Sequence, residues 1–328
     1  MDEVKSENES DGFSGWRVGI HTSIAGSLEQ AAEKAHLLGC NTFQIFSSSP
    51  RTWKAREPTA REIAALGDLR QRYHLFPLAV HANYLINMAS PDKVLRKRSL
   101  EAFRGEVRRA AAIGAEYLIL HPGSSRNASA EEGMRHMAAS LREAVRDERL
   151  GALSILLENT CGQGSTLGGS FSQLQDMLAL LDGLPVGCCL DTAHCFQAGM
   201  DLSSPEGLES MVGSLEQTVG LDRVHVVHTN DSRTPLGSRH DRHEHIGQGG
   251  IGLDGFRRIV NHPALREKAF ILETPLEAPG DDARNLEVIR SLRSRNGSSG
   301  AQQAFPERSV PARAWRGRAG TPGRKVNR

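Results

Sequence analysis

The chain has 328 residues, of which 38% are hydrophobic and 24% charged, and 40 Lys+Arg stand against 39 Asp+Glu for a formal net charge of +1. Such a composition buries a substantial core and excludes collagenous, coiled-coil and silk-like classes; its balance of charge excludes a protein that coats nucleic acid by bulk attraction. No apolar run approaches the roughly 18 residues of a membrane span.

Residues 1–14 hold five acids and Lys5 without a periodic apolar face, unlike a secretory signal, and are expected to be a disordered acidic tail. Beyond them short apolar runs alternate with amphipathic stretches. WRVGI (16–20) precedes a helical pattern over 27–38 that opens on Ser27, and TFQIF (42–46) precedes one over 59–73 that opens on Thr59. FPLAV (76–80) leads to 91–113, where Val107, Ala110, Ala111 and Gly114 recur at helical spacing, and YLIL (117–120) leads to 130–148. LSILL (153–157) is followed by 170–182, opening on Ser170, and VGCCL (186–190) by 204–219. RVHVVH (223–228) comes before a short helix at 254–260, and KAFIL (268–272) before 281–292. Each run suits a strand buried on both faces.

Eight strand–helix units predict one (β/α)₈ TIM barrel, an α/β fold of about 250 residues, over 15–293. A doubly wound sheet is the competitor, but IHTSIAGSLEQ after the first run lacks the G-x-G-x-x-G spacing. The stretch 294–328, rich in Gly, Pro, Ser and Arg, is expected to be a disordered basic tail, either passive or an arm that meets a polyanion. Cys40, Cys161, Cys188, Cys189 and Cys195 form no C-x-x-C pair, and their odd number argues against a disulfide framework, so a reducing, cytoplasmic setting is expected.

In such a barrel chemistry gathers at the carboxyl ends of the strands. Immediately after the runs, or ending them, stand His21, His81, His121, Glu158, Asp191, His228 and Glu273. Asp191 opens a D-x-x-H step to His194, and a later D-R-H step holds Asp241 and His243. Read singly these are bland: a strand-end His is a hydrogen-bonded core residue, D-x-x-H is a helix cap, CGQGSTLGG (161–169) is a tight loop, and Cys188 and Cys189 pack in the wall. Read together, partly desolvated acids and imidazoles at one end of one barrel cost several kcal/mol per unpaired charge unless cations compensate them. The nine candidate donors, His81, His121, Glu158, Asp191, His194, His228, Asp241, His243 and Glu273, exceed the four of one tetrahedral ion. Two or three ions of zinc or another borderline metal are therefore expected.

The segments HANYLIN (81–87), LHPGS (120–124), LENTCGQGSTLG (157–168), CLDTAHCFQAGMDL (189–202), HTNDS (228–232), GSRHDRHEHIGQGGIG (237–252) and ILET (271–274) resemble the endonuclease IV family of apurinic/apyrimidinic (AP) endonucleases. The resemblance spans residues 16–290 and omits both tails. It implies a DNA-repair hydrolase with three Zn²⁺ per chain: one on His81, His121 and Glu158, a second on Glu158, Asp191, His228 and Glu273, a third on His194, Asp241 and His243. Of these, His121, Glu158 and Glu273 are also expected to be catalytic. It further implies that Tyr84 and Leu85, with Arg51 from the more divergent SSSPRTWKARE, enter duplex DNA at an abasic site. The family works as a monomer on DNA in base excision repair, cutting 5′ to the lesion and trimming 3′-blocking groups. A sugar isomerase or epimerase of the related metal-dependent barrels is the runner-up, which three rather than two ions would disfavour; a catalytically dead DNA-binding barrel is the third reading.

Overall fold

The computed structural model describes residues 15–294. The tails expected at 1–14 and 294–328 lie outside the described residues except for Ser294, whose amide donates to Asn261 Oδ1 at 2.8 Å.

Eight parallel strands close a barrel: β1 Arg17–His21, β2 Thr42–Phe46, β3 Leu78–His81, β4 Tyr117–Leu120, β5 Ser154–Glu158, β6 Val186–Asp191, β7 Val224–His228 and β8 Ala269–Leu272. Their order follows the chain, and β1 pairs with β8 to complete the ring. The expected TIM barrel is thus observed, and the open sheet is excluded. At Gly19 a Cβ would lie 1.8 Å from the Thr42 carbonyl oxygen, so only glycine lets β1 and β2 approach as closely as they do.

The outer ring comprises α1 Leu28–Leu37, α2 Ala60–Tyr73, α3 Lys93–Ala112, α4 Ala130–Val145, α5 Phe171–Leu180, α6 Thr192–Gln197, α7 Pro205–Thr218, α8 Gly252–Asn261 and α9 Asp281–Leu292. Ser27, Thr59 and Ser170 cap α1, α2 and α5 as their positions predict; Thr59 and Glu62 form a reciprocal capping box. Helix α6 is additional to the expected eight. Among the described residues no helix is long and apolar enough to cross a membrane.

The core has two parts. The larger lies between strands and helices, with Phe43, Phe103, Phe256 and Phe270 fully buried. The smaller fills the barrel and is made by Ala79, Ile119, Leu156, Cys189, Val226, Ala269 and Ile271. Side chains in a strand alternate faces, so the residue two further on points inward again. Those residues are His81, His121, Glu158, Asp191, His228 and Glu273. The apolar plug and the polar mouth are consecutive layers of one inward-facing pattern.

Candidate metal centre

Strand register brings the mouth together. Asp191 pairs with His228 across β6 and β7, and Phe46 with His81 across β2 and β3. Glu158, 1% exposed, occupies the middle. Its Oε2 lies 3.2 Å from Nε2 of both His81 and His121, and its Oε1 lies 3.0 Å from His228 Nδ1. His228 Nδ1 is also 3.3 Å from Glu273 Oε2. Further out, Asp241 places its two oxygens 3.3 Å from His194 Nε2 and 3.4 Å from His243 Nε2.

Potential donor atoms within 4.8 Å of one another form three overlapping acid–imidazole groups: His81, His121 and Glu158; Glu158, Asp191, His228 and Glu273; and Asp191, His194 and His243. With Asp241 against His194 and His243, all nine candidates converge. Asp191 stands nearer the third group than expected, with Oδ2 3.8 Å from His243 Nε2. Cys189 adjoins Glu158 and His228 but belongs to the barrel plug, and burial pushes its thiol up to about 12. That agrees with its reading as a wall residue.

The imidazoles are oriented from behind. His81 Nδ1 faces the Ala82 carbonyl at 2.8 Å, His194 Nδ1 the Asn159 carbonyl at 2.9 Å, and His243 Nδ1 the Glu273 carbonyl at 3.2 Å. His228 is turned over, with Nε2 2.8 Å from the Gln44 side-chain oxygen. A carbonyl oxygen only accepts, so each of these nitrogens carries a proton, and it is the other nitrogen that, in the neutral imidazole, presents a lone pair to the centre. His243 Nε2 is buried without a hydrogen-bond partner, between the carboxylates of Asp191 and Asp241. A lone pair left open among acids is what a divalent cation requires and what a purely hydrogen-bonded cluster would not leave.

Electrostatics agree. Burial would raise the Glu158 carboxyl, but His228 and His121 hold it well below the usual carboxylate range. Burial likewise opposes ionisation of Asp241, yet the His194 contact brings it down to about 2. Conversely, burial would lower His194 and His228, but Asp191 with Asp241, and Glu273 with Glu158, carry them well above 6.5. The acids around these imidazoles favour a positive charge there, supplied by a proton or by a divalent cation. Five imidazoles and four carboxylates, without an ionised thiol, suit zinc.

Several supporting residues have no role in the sequence reading. Gln44, fully buried on β2, donates to Glu273 Oε1 at 2.6 Å while accepting from His228, and also contacts His21 Nδ1 at 2.9 Å. As the one polar residue inside the apolar stretch of TFQIF, it was detectable. His21 reaches the rim, 3.6 Å from Glu273, but burial lowers its pKa and it joins none of the three groups. Asn230 donates to Asp191 Oδ2 at 2.7 Å and accepts from the Glu273 amide at 2.8 Å. Asp191 is both things its D-x-x-H step allows: Oδ1 caps α6 by accepting from the His194 amide at 2.7 Å, while Oδ2 faces His243.

Of the residues expected to meet DNA, Tyr84 lies at the rim, 60% exposed, its ring 5.7 Å from that of His81 and 5.2 Å from Phe46. Leu85 is half-buried beside it, and Arg51 is exposed on the β2–α2 loop, outside the three groups. The two loops are joined by Asn83, which donates to the carbonyls of Ser49 at 3.1 Å and Thr52 at 2.6 Å.

A closed parallel barrel with acid–imidazole groups at its carboxyl mouth defines a TIM barrel with a candidate metal site, and the family described as xylose isomerase-like TIM barrel matches residues 32–294. Within that class, the chain is 53% identical over 279 residues to a probable endonuclease 4 of Solibacter usitatus, covering 84% of this chain and 96% of that protein. A probable endonuclease 4 of Halothermothrix orenii is 40% identical over 278 residues, covering 84% and 99%. The crystal structure of endonuclease IV from Thermus thermophilus superposes with a TM-score of 0.75 at 38% identity, covering 84% of this chain and 98% of that one. This chain belongs to the endonuclease IV family. A D-tagatose 3-epimerase-like protein also shares the fold, with a TM-score of 0.63 at 21% identity over 84% of this chain and 96% of that one.

Proposed function

We propose that the chain is a zinc-dependent AP endonuclease that hydrolyses the phosphodiester 5′ to an abasic site in duplex DNA, leaving a 3′-hydroxyl and a 5′-deoxyribose phosphate, and that it trims 3′-blocking groups. The observation that carries this reading is the set of three overlapping acid–imidazole groups, with lone pairs turned inward and His243 Nε2 unpartnered. His81, His121 and Glu158 would hold one zinc; Glu158, Asp191, His228 and Glu273 a second; His194, Asp241 and His243 a third. When bound, the ions supply Lewis acidity for water and phosphate that a lone general base, worth about 10²–10⁴-fold, does not match.

The protein groups do the positioning. Glu158 spans the first two sites through its two oxygens, and Gln44 and Asn230 fix the donors around it. Tyr84 is exposed at the rim, where its ring and the half-buried Leu85 would fill the gap left by a missing base, with Arg51 on the adjoining loop. Extruding a nucleotide costs a few kcal/mol and least where no base remains to unstack, so a preformed wedge favours the lesion. Five free, buried cysteines support a cytoplasmic setting.

The test measures zinc content and nicking of a tetrahydrofuran-containing duplex on one preparation. Chelation should abolish nicking, and zinc should restore it as the count returns to about three per chain. Undiminished cleavage by metal-free protein refutes the reading.

A further inference from the structure

The chain is nearly neutral overall, yet the first two turns of α3 carry four cations, Lys93, Arg96, Lys97 and Arg98, behind the capping carboxylate of Asp92. Arg96 folds back onto the Ser90 carbonyl at 2.5 Å, whereas Lys93, Lys97 and Arg98 are exposed. Nearby acids are already engaged: Asp92 accepts from the amides of Val94 and Leu95, and Glu101 pairs with Arg104 at 3.0 Å. Among the described residues, neither Lys93 nor Lys97 has a carboxylate partner. They stand four apart, which puts both ammonium groups on one face of the helix. The one acid at the same spacing on that face, Glu101, is taken up by Arg104.

The patch is continuous with the rim of the metal centre. Helix α3 begins where the loop bearing Tyr84 and Leu85 ends. The Arg98 guanidinium lies 4.4 Å over the ring of Trp53, on the loop that carries Arg51. Asn83 joins the same two loops from the other side. Arg98 thus ties α3 to the loop of Arg51, and Asn83 ties that loop to the loop of Tyr84 and Leu85.

We propose that the Lys93/Lys97 face of α3 is a phosphate-backbone contact that extends the DNA footprint to one side of the lesion. The inference rests on the AP-endonuclease reading above. A basic face whose one acid, Glu101, is already paired with Arg104 suits the sequence-independent backbone of a duplex, which bears closely spaced charges, and cations placed there act by releasing counterions.

The test uses the full-length, zinc-loaded protein and its Lys93→Gln/Lys97→Gln variant, with kcat/KM measured on abasic-analogue duplexes across salt. Loss of two phosphate contacts should reduce the slope of log kcat/KM against log salt by about 2, so that wild type loses about tenfold more than the variant between about 50 and 200 mM. The loss should fall on KM rather than kcat, and Lys93→Arg/Lys97→Arg should retain the wild-type slope. Moving the lesion towards one duplex end should erase the difference, and moving it towards the other should preserve it. Parallel salt plots on every duplex, or a difference insensitive to either flank, would overturn the patch while leaving the endonuclease reading intact. If wild type leaves the abasic duplex uncut, that reading fails and the patch falls with it.

Discussion

Asp231 gives the sharpest test of how this fold holds its metal centre. It is fully buried in a short antiparallel ribbon, Asp231–Ser232 against His243–Glu244. Its Oδ1 accepts from the amides of Ser232 at 2.8 Å and Ile251 at 2.9 Å, and its Oδ2 from Gly247 at 2.9 Å, Gly249 at 3.0 Å and Gly252 at 3.3 Å. The loop is wrapped so tightly that a Cβ at Gly249 would lie 2.4 Å from the Ser232 carbonyl oxygen. Asp231→Asn keeps the shape but sets an NH₂ group against at least two N–H donors. Two lost charge-assisted bonds, at about 1.5–3 kcal/mol each, remove about 3–6 kcal/mol. A domain holds only about 5–15 kcal/mol in all, so the loop should open before the barrel does. Because that loop carries Asp241 and His243, zinc content should fall from about three to about two per chain while the first two groups stay filled. Zinc analysis, with hydrogen exchange at the Gly247, Gly249 and Gly252 amides, reads this directly. Three retained ions and unchanged protection would refute the reasoning.

Other substitutions separate roles within the same site. Gln44→Ala removes the amide that orients both His228 and Glu273, and should weaken zinc binding or activity about 10- to 100-fold with little change in far-ultraviolet circular dichroism. Tyr84→Ala should lower affinity for abasic duplex by about 1–3 kcal/mol, or roughly ten- to hundredfold, at unchanged zinc content; lost zinc would show that the ring supports His81 instead. Away from the site, Arg56 and the Thr59 cap hold the Glu62 carboxyl at about 2, below its ordinary 4.5. A depressed acid stabilises the fold above its unfolded pKa and loses that contribution as pH falls towards the folded value. The melting-temperature deficit of Glu62→Gln should therefore be full near neutrality and shrink as pH drops from about 5 towards about 2.

The barrel was legible because buried parallel strands write themselves as short apolar runs, and because Ser27, Thr59 and Ser170 mark where helices begin. The ends were less so: the pattern over 130–148 outlasts α4, which stops at Val145, because amphipathic spacing continues into the turn that follows. Helix α6 was not among the eight because all six of its residues are buried, so Thr192, His194 and Gln197 mark no solvent face to set a period. That the nine candidate donors would converge could be read from their positions after the strands, since a charged group there needs a partner. Asn159 and Asn230 could not be assigned in the same way. Their neutral amides act only through three-dimensional hydrogen bonds, which leave no spacing along the chain. Asp231, two residues before Arg233, resembles one more polar loop residue until the amides of the glycine-rich segment are seen to surround it.

The ring closes only when β8 docks between β7 and β1, and Glu273 stands immediately after that strand. A ribosome-bound chain that has emerged only as far as α5 already owns His81, His121 and Glu158 but none of the other six candidates. The proposed chemistry therefore depends on the whole ring: its acids and imidazoles come from seven stretches of chain, and the last of them arrives with the strand that closes it.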